Sequence, residues 1–271
     1  MRKSHGTAEI AIRAPPLYTV REKRRAVPSR KGGCYVGFSV QCFPQRNAGV
    51  SLQMGPHRIW VDALHTRQAE GFSIVSPELW ARMQAEEAFT APDVICFTHC
   101  HRDHYDRTLT ARAKELWPQA KLILPEPEFG GQLLLQGGAV TVTLGGLELR
   151  FFRLPHEGDG VPPAPHYGLL LSDGRFRVLI PGDCTVASTA LAEHLRGVEI
   201  DLALLNFPWV TKRRGRVFVE EILRPRHLFL YHLPFREDES HRYRAATRRA
   251  CRFLELPDVR LLSEPLQRES L

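Results

Sequence analysis

The sequence predicts an α/β fold of four layers, an αββα sandwich in which two packed sheets carry helices on their outer faces. Three observations predict it. Extended apolar segments fall into two strand-rich halves, with helical segments placed to cover them from outside. The chain of 271 residues is 43% hydrophobic, enough to bury one substantial core. The residues able to do chemistry stand where apolar runs stop, at the ends of expected strands.

Taken in order, strands are expected near residues 34–41, 48–53 and 58–62. Ser76 offers its hydroxyl to cap a helix over 77–87, with Pro77 at the first position, where a missing N–H costs nothing. The apolar run Asp93-Val94-Ile95-Cys96-Phe97 reads as a buried strand. Asp106 then caps a helix that reaches about Glu115, and residues 121–124 make the next strand. In the second half, strands are expected near 139–143, 147–154, 167–171 and 176–180, the last two joined as a hairpin by Ser172-Asp173-Gly174. A helix near 188–195, strands near 201–206 and 227–231, and a last helix over 240–254 complete the order. No internal repeat is strong enough to prove that the halves are duplicates.

Directly after the buried run, residues 98–104 read Thr-His-Cys-His-Arg-Asp-His. His99, His101, Asp103 and His104 crowd four potential metal ligands into six positions, and a metal is the usual reason for such crowding. Imidazole nitrogen with carboxylate oxygen suits zinc, and also manganese or iron. The i, i+2 spacing of His99 and His101 puts both on one side of an extended segment, while Asp103 and His104 follow at once and can face a second ion. The spacing therefore predicts two ions per chain, zinc foremost.

This cluster resembles motif two of the metallo-β-lactamase superfamily, and the resemblance spans roughly residues 34–256. It implies the metallo-β-lactamase form of the four-layer sandwich. It also implies three further ligands: a downstream His, an Asp after Gly at a strand end, and a later His. Val178-Leu179-Ile180-Pro181-Gly182-Asp183 matches the second, and the two oxygens of Asp183 could bridge both ions. For the first, His156 and His166 both precede the hairpin. His156 is favoured because it follows the apolar alternation of 147–154 and opens the polar loop Glu157-Gly158-Asp159-Gly160, which leaves His166 to line the pocket or support a ligand. For the third, His232 ends the run 227–231, on the side where ligands gather in layered α/β folds, whereas His227 starts it. Ile59-Trp60-Val61-Asp62 matches motif one, whose Asp holds loops and ligands by hydrogen bonds. The long Gly-rich loop between His156 and Asp183 is similar to that of the branch related to ascorbate-6-phosphate lactonases.

The resemblance implies a metal-dependent hydrolase. His99, His101 and His156 would hold one ion, Asp103, His104 and His232 the other, and Asp183 would bridge them. Such ions lower the pKa of a shared water enough to supply hydroxide near neutral pH, for attack on an ester, lactone or phosphodiester-type bond. No Ser or Cys nucleophile is needed. Asp62, Asp103 and Asp183 are then the carboxylates of catalysis, with Asp103 also placed for proton transfer to the leaving group. In the basic segment after residue 210, Lys212, Arg213, Arg214 and Arg216 lie on the expected metal side and suit a small, anionic, phosphorylated substrate. A solvated basic loop is the alternative. Two other functions stay open: a mononuclear-iron dioxygenase of the same fold, and a non-catalytic metal-binding protein. A flavodiiron-type protein is disfavoured, because His101 stands where that branch has Glu.

Charge separates a leader from the body. Of the 37 basic residues nine lie in residues 1–33, leaving 28; of the 30 acidic residues two lie there, also leaving 28, so the net +7 belongs to the leader. A basic, Pro-containing segment without apolar periodicity is expected to be disordered, which makes 34–271 the hydrolase domain. The neutral body argues against a nucleic-acid substrate, leaving only the leader to attract polyanions. No signal-peptide core and no apolar run of membrane-spanning length is present, and the six cysteines, Cys34, Cys42, Cys96, Cys100, Cys184 and Cys251, lack C-x-x-C spacing. They read as free thiols, and the cytoplasm is the expected compartment. By alternation Cys100 should point away from the metals, and Cys184 should be either a pocket residue or a small buried one.

Overall fold

A computed structural model describes residues 38–42, 48–66, 75–158, 163–233, 242–264 and 266–271. The basic leader, residues 34–37 of the first expected strand and the start of the last expected helix lie outside the described residues.

Among the described residues, two seven-stranded sheets form the centre. The first half supplies β1 (Phe38–Cys42), β2 (Val50–Met54), β3 (His57–Val61), α1 (Pro77–Ala85), β4 (Val94–Cys96), α2 (Arg107–Leu116), β5 (Lys121–Leu124) and β6 (Leu133–Leu134). The second half supplies β7 (Ala139–Leu144), β8 (Leu147–Arg153), β9 (Tyr167–Ser172), β10 (Arg177–Ile180), α3 (Thr189–His194), β11 (Leu202–Asn206), α4 (Pro208–Thr211), α5 (Arg213–Phe218), β12 (His227–Tyr231), α6 (Tyr243–Cys251), β13 (Val259–Leu261) and β14 (Arg268–Ser270). Sheet one runs β14-β1-β2-β3-β4-β5-β6, and sheet two runs β13-β12-β11-β10-β9-β8-β7. Each sheet is antiparallel where its half begins and parallel where it continues: β1 to β3 alternate in direction before β4 to β6 join in parallel, and β7 to β10 alternate before β11 to β13 do the same.

Strand alternation explains why the central runs are apolar throughout. Ile59, Val61, Val94 and Cys96 face Leu169, Leu171, Val178, Ile180, Leu202, Leu204 and Phe229 in a core between the sheets. The intervening Trp60, Ile95, Phe97, Leu122 and Leu124 face outward, against Leu79 and Met83 of α1 and Leu109 and Ala113 of α2. On the other side Leu179, Ala203, Leu205, Leu228 and Leu230 pack on Leu191, Trp209, Val210, Phe218 and Ala250. Burying one such side chain contributes about 1.5–3 kcal/mol, so neither helical layer is dispensable.

The two expected caps are present: the Ser76 hydroxyl accepts from the Leu79 N–H (3.2 Å) and Asp106 from Leu109 (2.8 Å); Ser188 caps α3 in the same way, accepting from Leu191 (3.3 Å). The first helix ends two residues early, and a short 3₁₀ turn, Glu87–Phe89, swings Phe89 into the core. The basic segment expected as a loop is helical instead. Pro208 opens α4, α5 follows, and a π-helical turn, Val219–Leu223, continues it. Gly215 permits this because a Cβ there would collide with the Trp209 carbonyl. Three strands lack alternation strong enough to announce themselves: β6, β13 and β14. Among the described residues no helix is long and apolar enough to cross a membrane.

Candidate metal centre

The ends of β3, β4, β8, β10, β11 and β12 converge, and the backbone bends sharply there. Asp62, Gly182 and His232 adopt left-handed conformations with φ of 52°, 59° and 57°. Each stops its strand within two residues and turns the donor region inward. Gly182 is doubly constrained, since a Cβ would also stand 2.8 Å from His166 Nε2 and 2.9 Å from Thr98 Oγ1.

Among the described residues two donor groups result, His99 with His101 and His156, and Asp103 with His104, Asp183 and His232; within each, the candidate ligand atoms lie within 4.8 Å of one another. In the first, His156 Nε2 is 3.2 Å from His101 Nδ1 and 3.3 Å from His99 Nε2. In the second, Asp183 Oδ2 is 3.2 Å from His104 Nε2 and 3.7 Å from His232 Nε2, while Asp103 Oδ2 is 3.8 Å from His232 Nε2. The same Asp183 oxygen is 3.9 Å from His156 Nε2, so it reaches both groups. His99 and His104 are fully buried, whereas His101, Asp103, His156 and Asp183 are half-buried and form the open side.

Hydrogen bonds assign two tautomers. Thr98 Oγ1 gives its hydrogen to Asp62 Oδ2 (2.7 Å) and so accepts from His99 Nδ1–H (2.9 Å). His104 Nδ1–H donates to the same carboxylate (3.1 Å), and the Thr98 N–H donates to Asp62 Oδ1 (2.7 Å). Both imidazoles therefore turn Nε2 toward the centre. Burial, and then the neighbouring His104, hold the pKa of His99 well below its ordinary value, keeping it neutral. Burial opposes charge on His104 too, but Asp183, Asp103 and Asp62 outweigh it and raise its pKa well above the ordinary value. Burial likewise opposes ionisation of Asp183, but His104 and His232 overcome this and hold its pKa well down. His99 Nε2 turns a lone pair inward, 3.3 Å from His156 Nε2, and three carboxylates beside His104 call for positive charge. The residues thus fit divalent metal ions with nitrogen and oxygen ligands.

Around the donors stand residues with supporting positions. Asn206 Nδ2 donates to Asp183 Oδ1 (3.0 Å), leaving Oδ2 to face both groups. His166 is buried with Nδ1 3.4 Å from the Leu154 carbonyl, and burial drives its pKa to about 3; its ring lies 5.1 Å from that of His99, in neither donor group. His65 is buried beside the second group, its pKa lowered to about 3 by burial and then by His104. His227 is far from the centre and pairs with Asp258 (2.7 Å). Cys100 packs in the outer layer of sheet one, and Cys184 is fully buried, its thiol pushed up to about 12. Sequence reading assigned no role to Thr98, Asn206 or His65; the only signal was that Asn206 is the polar end of an apolar strand.

The basic segment turns to the chain itself. Lys212 and Arg214 (3.1 Å) both donate to the Glu157 carboxylate. Burial opposes the charge of Glu157, but Lys212, the Val186 N–H and Arg214 hold its pKa below the ordinary value. Arg216 donates to the Val210 and Thr211 carbonyls (2.7 and 3.3 Å), and Arg213 is exposed.

No protein-family model matches the sequence, and no curated protein matches it. Solved structures do match. The metallo-β-lactamase fold protein YhfI from Bacillus subtilis is 14% identical, with a TM-score of 0.57 over 86% of this chain and 99% of that one. Igni18, a metallo hydrolase from Ignicoccus hospitalis, is 16% identical with a TM-score of 0.58, over 87% and 99%. CmlA, a diiron β-hydroxylase from Streptomyces venezuelae, is 14% identical with a TM-score of 0.59; there the match covers 86% of this chain but 54% of the other. Identity this low speaks for architecture alone, and on that ground the chain has the metallo-β-lactamase fold.

Proposed function

We propose that this protein is a dinuclear metal-dependent hydrolase that cleaves an ester, lactone or phosphodiester-type bond of a small anionic molecule. The observation that carries the reading is Asp183 Oδ2, which lies within 3.9 Å of nitrogens in both donor groups. In it, His99, His101 and His156 would hold one ion, Asp103, His104 and His232 would hold the other, and Asp183 would be within reach of both. Bound there, zinc or another divalent metal supplies Lewis acidity and a water acidic enough to react near neutral pH.

The chain's own residues do the rest. Asp62 fixes the His104 ring directly and His99 through Thr98, so neither spends binding energy on reorienting. Asn206 holds one oxygen of Asp183 and leaves the other to the centre. Asp103, half-buried on the open side, can pass a proton to the leaving group. The segment holding Lys212, Arg213, Arg214 and Arg216 keeps an excess of positive charge after Glu157 is counted, which supports attraction of an anionic substrate over distance. His166, behind the donors, shapes the pocket. A small phosphorylated lactone or diester fits this picture, as the similarity to the ascorbate-6-phosphate lactonase branch suggests. A reducing compartment such as the cytoplasm suits the unpaired thiols of Cys96, Cys100, Cys184 and Cys251.

Elemental analysis of protein purified without added metal tests the assignment, followed by a screen of phosphodiester, lactone, ester and thioester substrates. About two zinc or manganese per chain, with turnover of one substrate class, is the expected result. Iron alone would redirect the reading to oxygen chemistry, for which the same donor atoms are suited. No metal and no turnover would sink it.

A further inference from the structure

The loop that carries His156 is stitched to the loop that carries Asp183. The Glu157 N–H donates to the Asp183 carbonyl (2.7 Å), the Thr185 N–H to the Pro155 carbonyl (2.8 Å) and Thr185 Oγ1 to the His156 carbonyl (3.0 Å). His156 and Cys184 pair as an isolated antiparallel bridge. Into this seam the Glu157 side chain inserts a third partner. Its Oε2 accepts from the Val186 N–H (2.8 Å), while Oε1 accepts from Lys212, at the junction of α4 and α5, and from Arg214 in α5. One carboxylate thus ties three segments together, beside a donor residue.

We propose that Glu157 is a positioning residue of the metal centre: by anchoring its loop to Val186 and to α5, it fixes the backbone from which His156 projects, with Lys212 and Arg214 as its partners. The idea rests on the reading of His156 as a ligand. Two physical consequences support it. His156 is half-buried on the open side, so its ring has less packing to hold it than His99 or His104, and the loop must supply that order. Glu157 also compensates the two cations that it gathers beside the loop of His156. Without it, Lys212 and Arg214 would leave two uncompensated positive charges near a loop whose donor is to hold another.

The test is metal binding, read apart from activity. In Glu157→Gln the side chain keeps its size and can still accept from the Val186 N–H, but it loses the charge that gathers Lys212 and Arg214. Zinc competition against a chelator should show one of the two equivalents held about 10–100-fold more weakly, in the range found for residues that orient ligands, with the other nearly unchanged. The cobalt(II)-loaded variant should show an altered visible spectrum for one ion only. Glu157→Asp keeps the charge but shortens the reach, and an intermediate loss is expected; it reads the same quantity should Glu157→Gln fail to fold. His156→Ala is the control and should lose one equivalent outright. Loss of metal in that control, together with wild-type affinity in Glu157→Gln and Glu157→Asp, would overturn the positioning role alone. Retention of both ions by His156→Ala would overturn the ligand assignment and the proposal with it.

Discussion

Asp62 holds no position in either donor group, yet it orders both. Its carboxylate accepts from the Thr98 N–H, from Thr98 Oγ1 and from His104 Nδ1–H, all in a fully buried setting. Asp62→Ala strands those donors, and leaving one buried donor unsatisfied costs about 1–3 kcal/mol, so urea unfolding should register a loss of about 2–5 kcal/mol along with weaker zinc binding. His101→Ala should behave in the opposite way. That ring is half-buried, so the fold should survive at near wild-type stability while hydrolysis falls below about a tenth, since removing a ligand takes away transition-state stabilisation. Equal stability losses in the two variants would contradict this division of labour. The candidate ligands of the 99–104 cluster were legible because they are dense in sequence and follow an apolar run. Thr98 and Asn206 gained their roles from partners 36 and 23 positions away, a relation that only the folded sheets create.

At the scale of elements, the centre is built where strands are made to stop. A non-glycine residue in the left-handed region costs about 1–3 kcal/mol, and Asp62 and His232 both stand there, so the surrounding sheets must hold them against that preference. Gly182 avoids the cost, and Gly182→Ala restores it while driving a methyl against His166 and Thr98. Destabilisation of about 2–4 kcal/mol is expected, together with loss of metal, because Asp183 is the next residue; chemical denaturation and metal analysis check both. A stable variant with full metal would show that the bend can move. Two helix starts were readable, since Ser76 and Asp106 announce caps by residue type alone. The helical character of 208–218 was not: a glycine among basic residues reads as a turn, and what makes it helical is the packing of Gly215 against Trp209.

For the molecule as a whole, the two halves share a core, the pairing of β14 with β1 and the donors that each contributes. His99, His101, Asp103 and His104 come from the first half, and His156, Asp183 and His232 from the second, so ions held between them bind the native state and not the unfolded chain. Ligand present at about 100 times its Kd stabilises by about 2.7 kcal/mol, and in a domain of this size each kcal/mol moves Tm by about 2–4 °C. Chelation should therefore lower Tm by about 5–10 °C, restored by zinc. A Tm indifferent to chelator would mean that no ion joins the halves. The layer order was legible because central strands buried on both faces are apolar throughout. The short β14 was not, because its exposed and half-exposed residues carry no apolar signal and it is seated by its backbone ladder with β1 and by ion pairs of Arg268 and Glu269. That pairing also sets a clock. Ser39 meets Ser270, 231 positions later, and at translation rates of about 5–20 residues per second the outer edge of β1 waits on the order of 10–50 s for its partner. Through that interval the nascent chain carries an open strand edge, the kind that pairs with other chains, so the speed of synthesis and the supply of chaperones should govern the yield of folded protein more than the stability of the finished sandwich does.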